Sequence, residues 1–133
     1  MNAPQAKQQS RPQTKIEQLA ARFMQAFNDH DVDTALSLMN SHPVWEFAVG
    51  PNPYGIIHDG RDAVKKAMET TFSVNPDITY ETLRVYGSDD SVIYEVLTES
   101  KKNSLRVQSV DIMTFDQNEK ISFKRTYRKV VQK

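Results

Sequence analysis

The stretch VDIMTFDQNEKI, Val110–Ile121, sets an apolar run against a cluster of turn formers, and its reading decides the fold. Val110, Ile112, Met113 and Phe115 have the β-branched, aromatic and apolar character of a half-buried pleated strand, and DQNE then folds the chain back into another. Asp111 is the anomaly, since such surfaces deplete aspartate strongly. Either it lies on a wet face or it has a task. Working outward, β runs are predicted over residues 77–87, 91–102, 104–116 and 120–131. Ahead of them HPVWEFAV, residues 42–49, reads as a strand ended by GPNPYG, whose prolines and glycines break it.

The earlier half is helical. TKIE, residues 14–17, has the form of a capping box, and behind it Ile16, Leu19, Ala20, Phe23 and Phe27 recur at helical spacing, predicting a helix over about residues 14–29. NDHD interrupts it, and Asp31 or Asp33 can cap a short second helix carrying Val32, Ala35, Leu36 and Met39 on one face. A loop through His58 leads to a third helix over about 61–72, marked by Ala63, Val64, Ala67 and Met68. Helices followed by strands joined by short turns predict an α+β fold in the order α-α-β-α-β-β-β-β, with the helices on one face of a strongly curved antiparallel sheet.

Composition narrows the function. The 133 residues suit one core. Lys plus Arg total 17 and so do Asp plus Glu, leaving no net field to attract nucleic acid or an anionic membrane. With no cysteine there is no disulfide scaffold, thiolate zinc site or cysteine nucleophile. The three histidines lack ligand spacing and no glycine-rich phosphate loop occurs, so neither metal nor cofactor is expected. Residues 1–13 offer little to bury and are expected to be a flexible tail, with the domain over 14–133. No window approaches the roughly 18 apolar residues of a membrane span, and a cytoplasmic protein is expected.

The element order, with FNDHDVDTALSLM early, GRDAV midway and VDIMTFDQNEKI late, resembles the nuclear-transport-factor-2-like superfamily, and within it the SnoaL-like and ketosteroid-isomerase-like branch. The resemblance covers nearly everything after residue 14 and rests on order and spacing. It implies a cone-shaped sheet wrapped around the helices, a pocket at the open end, and a homodimer through the outer sheet face. It also implies for Asp111 the role of a protonated hydrogen-bond donor to a substrate oxyanion, the part played by an Asp of this strand in ketosteroid isomerases. The pattern departs elsewhere: Phe47 stands at the isomerase's general base, Phe23 at its oxyanion-hole tyrosine, and Lys129 about where SnoaL-type cyclases carry an acid.

Strand parity suggests what accompanies Asp111. If it points inward, Met113 and Phe115 do too, and strict alternation groups Phe123, Arg125 and Tyr127 on one side of the last strand and Trp45 with Phe47 on one side of the first. The expected ligand-binding set is Trp45, Phe47, Tyr54, Met113, Phe115, Phe123 and Arg125, and the candidate catalytic groups are Asp111, His58 and Tyr127. A structural alternative pairs Asp111 with Arg125. Glu46 faces away by parity, and Glu95 is the other carboxylate inside an apolar strand. Two functions follow. One is a domain binding a small hydrophobic molecule, with cofactor-independent isomerase, cyclase or dehydratase chemistry. The other is a non-catalytic binding or dimerisation module.

Overall fold

The computed structural model describes residues 13–132; the expected tail, apart from residue 13, lies outside them. Helix α1 (Lys15–Asn28) opens on the capping box: the Glu17 carboxylate accepts the Thr14 backbone N–H at 2.8 Å, and the Thr14 hydroxyl accepts the Glu17 N–H at 3.3 Å. Its apolar stripe of Ile16, Ala20, Phe23, Met24 and Phe27 is buried. Asp31 caps α2 (Val32–Ser37), its carboxylate accepting the Thr34 N–H at 3.1 Å and the Thr34 hydroxyl at 2.6 Å. Met39, expected on that helix, instead begins strand β1 (Met39–Glu46). The next element, β2 (Ile57–Asp59), is a short strand where a loop was expected; its pairing on β1 sets His58 beside Trp45.

Helix α3 (Arg61–Val74) follows Gly60, whose φ of 94° favours glycine. The GRD motif has a structural use: the Arg61 guanidinium donates to the carbonyls of Leu36, Met39 and Asn40 at 3.0, 3.3 and 3.0 Å, tying α3 to the α2–β1 junction. Strands β3 (Thr79–Gly87), β4 (Ser91–Ser100), β5 (Leu105–Phe115) and β6 (Ile121–Arg128) complete a curved six-stranded sheet in the order β2-β1-β6-β5-β4-β3. Neighbours run antiparallel except β1 and β6, which are parallel. The α+β class and the helix–helix–strand order are as the sequence led us to expect. Phe23, Met68, Met113 and Ile121 are fully buried between helices and sheet, each contributing about 1.5–3 kcal/mol of hydrophobic stabilisation.

Strict alternation fails on β6. Phe115 pairs with Ile121 but Thr114 pairs with Phe123, so Ser122 is an extra residue, a β-bulge. Thr126 consequently lies opposite Asp111, and Lys124 opposite Met113. Lys124 and Thr126 therefore face the helices, whereas Phe123, Arg125 and Tyr127 face outward. This corrects the expectation that the latter three share a cavity with Asp111. It also removes the Asp111–Arg125 pair: Arg125 Nε donates instead to Glu46 Oε1 at 2.7 Å, with its guanidinium 4.8 Å from the Phe123 ring centroid.

Candidate functional site

A cavity of about 260 Å³ lies between the inner sheet face and the ends of α1 and α3. Its apolar wall is Phe27, Trp45, Phe47, Ile78, Leu105 and Val107; Asp111, Lys124, Thr126 and Tyr80 bring polar groups to it. Asp111 and Lys124 are both buried. Asp111 Oδ1 accepts the Thr126 hydroxyl at 2.7 Å, and Lys124 Nζ stands 3.9 Å from the same oxygen. The ammonium position also lies 4.4 Å from the Trp45 ring centroid and 5.1 Å from that of Phe27. Trp45 Nε1 is buried without a hydrogen-bond partner among the described residues.

Burial pushes the Lys124 amine well below the usual lysine range, and the Asp111 carboxylate opposes this only in part. The Tyr80 phenol is pushed the other way, above its ordinary range, first by burial and then by the Asp111 charge. The cavity thus combines an acidic side chain, a hydroxyl donor and an amine whose charged form burial disfavours. Together these can hold an oxygen function and move a proton.

His58 lies outside this cavity. It lines an adjoining hollow of about 510 Å³ with Lys66, Thr70 and Val74, and Phe47 forms a wall of both spaces. The ring centroids of Phe47 and His58 are 4.3 Å apart, His58 Nε2 is buried without a hydrogen-bond partner among the described residues, and burial lowers the pKa of the imidazole. Tyr54, Arg125 and Tyr127 line a separate hollow of about 400 Å³ beside Glu46. Met113 and Phe115 share the Asp111 face but are packed into the core. Glu95 faces outward and accepts the Tyr86 hydroxyl at 2.7 Å.

Of the residues expected to act together, the structure joins Asp111, Trp45 and Phe47. It adds Lys124, Thr126 and Tyr80, which sequence reading missed. Lys124 sits in the charged run KRTYRK and carries no mark of burial there; only the Ser122 bulge turns it inward.

A curved sheet closed over three helices around an end-on cavity defines the nuclear-transport-factor-2-like class. Residues 20–123 match the SnoaL-like domain, and the chain belongs to that family. Solved structures of the same fold include the epoxide hydrolase/cyclase-like enzyme SalBIII of pyran ring formation in the polyether salinomycin (22% identity, 87% of this chain and 92% of that one, TM-score 0.72). Also similar are an NTF2-like protein of unknown function from Mesorhizobium loti (24%, 90% and 98%, 0.74) and Rv0760c from Mycobacterium tuberculosis in complex with estradiol-17β-hemisuccinate (20%, 89% and 96%, 0.76). No match was found among curated protein sequences. Among the described residues no helix is long and apolar enough to cross a membrane.

Proposed function

We propose that this chain is a cytoplasmic, homodimeric small-molecule-binding protein that holds one oxygen function of a mostly apolar ligand against Asp111, Lys124 and Thr126. The activity that fits is cofactor-independent acid/base chemistry of the isomerase, cyclase or dehydratase kind. The observation that carries this reading is the Lys124–Asp111 pair, sunk in an aromatic cavity and connected by a single hydroxyl to the rest of the sheet. A buried charge pair is a poor source of stability, often no better than apolar residues of the same volume, so its presence beside an open space favours a ligand role. The fold's relatives support the class of ligand: one carries a steroid hemisuccinate and another is a cyclase-like enzyme. The cavity is smaller than the roughly 300–1,000 Å³ of common ligand sites. Its occupant is therefore either a one-ring molecule or one that displaces Phe47 and extends toward His58.

Trp45 is the only tryptophan of the chain and lines the cavity, so its emission reports occupancy. Titration with monocyclic ketones and alcohols, and with a steroid hemisuccinate, should give a saturable change that Lys124→Met weakens. A flat response across the whole panel overturns the reading. The second reading, a non-catalytic binding module, is favoured by one observation: Phe23 and Phe47 fill the positions where ketosteroid isomerases carry polar catalytic groups. Saturable binding with no turnover of any bound ketone would select it.

A further inference from the structure

We propose that Lys124 forms a reversible imine with an apolar aldehyde or ketone held in the cavity. The inference rests on the ligand-binding reading above and names its substrate class. A lysine is almost never fully buried unless paired, and the pairing here is incomplete. The nearest carboxylate oxygen is 3.9 Å from Nζ, beyond hydrogen-bond distance, and is already engaged by Thr126. Two aromatic faces enclose the amine on other sides, and the side chain lines the cavity, so the open direction for Nζ is the ligand space.

This is the setting in which a lysine becomes a carbonyl nucleophile. Desolvation favours the free amine with its lone pair, and the apolar walls hold the carbonyl carbon against it. The titratable side chains lining the cavity with it are Asp111, Tyr80 and Arg128. Of these Asp111 is the group beside Nζ, and its charge favours the ammonium; burial is the larger influence and acts the other way.

The step balances without any redox partner. The amine lone pair attacks the carbonyl carbon, a C–N bond forms, and the carbonyl π pair moves to oxygen, which takes one of the amine protons. The resulting hydroxyl leaves with the second amine proton as water, and the nitrogen lone pair closes the C=N bond. Asp111, beside Nζ, is placed to carry both protons from nitrogen to oxygen. When protonated, the imine withdraws electrons from the adjacent carbon, so a proton there becomes removable. That is the first event of a double-bond migration or a dehydration.

The test is reductive trapping on the wild-type protein. Benzaldehyde is added with sodium cyanoborohydride near neutral pH, which delivers hydride to any imine carbon, and the adduct is located by peptide mass mapping. Lys124 should be labelled about tenfold or more faster than the exposed Lys65 and Lys66. Lys124→Arg, which keeps a cation but no nucleophilic amine, should lose that adduct and retain the surface ones. Labelling of Lys124 no faster than the exposed lysines overturns the proposal. Benzyl alcohol, measured in parallel through Trp45 emission, separates the two claims. If it binds while Lys124 stays unlabelled, the imine falls and the binding reading stands; if neither probe is taken up, both fall.

Discussion

At the scale of single residues, Asp111 and Lys124 are unequal partners. Asp111 keeps the Thr126 hydroxyl whatever happens to the lysine, whereas among the described residues the anion beside Lys124 is Asp111. Below the folded-state pKa of Lys124, Asp111→Leu therefore leaves a buried ammonium with no counter-charge and should cost about 3–5 kcal/mol, while Lys124→Met leaves the Asp111 carboxylate its Thr126 hydrogen bond and should cost less. Urea denaturation of the two variants checks the order. Equal large losses would mean that both charges are structural. The pH dependence follows from the depressed Lys124 pKa. Between that value and the ordinary lysine range, the unfolded chain binds a proton that the folded chain does not, so stability rises with pH there. Below the depressed value both states are protonated and the cost of the buried ammonium is fully present. Wild type should thus gain on Lys124→Met as pH is raised through the folded-state pKa, and a gap that is constant or moves the other way would refute the buried free amine.

Among the elements, the helices were the most legible in the sequence. TKIE and the spacing of Ile16, Ala20, Phe23 and Phe27 specify α1 because capping and a 3.6-residue stripe are local facts. The four long strands are likewise near their expected spans. Legibility failed where the outcome depends on non-local pairing. Nothing in IHD marks β2 as a strand until β1 lies beside it, and nothing in ISFKRTY announces that Ser122 bulges. Trp45, Phe47 and Asp111 thus share the inner face, as regular alternation along their strands allows, while Phe123, Arg125 and Tyr127, expected to join them, lie on the other side, and Lys124 takes their place. Phe47, just past the end of β1, gives this scale its prediction. It lines both the cavity and the His58 hollow, together with Thr71 and Asn75, and its truncation to alanine should widen the passage between the two. Phe47→Ala should cost about 1–2 kcal/mol, as expected for a half-buried aromatic. It should also raise affinity for two-ring ketones relative to one-ring ketones, measured by Trp45 emission. An unchanged size preference would show that Phe47 does not limit the space.

For the whole molecule, the outward side of the sheet bears on assembly. Val110 and Ile112 are half-buried there, Tyr127 is 58% exposed, and Val130 just beyond β6 is 88% exposed. An apolar sheet face of this kind in water favours a second copy as its cover. Light scattering at micromolar concentration should give about 30 kDa, twice the 15.2 kDa of the chain. A particle of single-chain mass would leave that face without its proposed partner. The face proposed for the dimer and the cavity lie on opposite sides of one sheet, so ligand uptake should proceed in either assembly state.

The Ser122 bulge has a further consequence, for the order of events during folding. Strands β5 and β6 are joined by a short turn and can meet within microseconds, long before distant segments find them. At that stage two closures differ by a single residue: one sets Thr126 against Asp111, the other Arg125. The strand that distinguishes them is β1, whose Glu46 draws Arg125 to the outer face from 79 residues earlier in the chain. On that ordering the interior of the cavity would be decided late, by a carboxylate on the opposite side of the sheet.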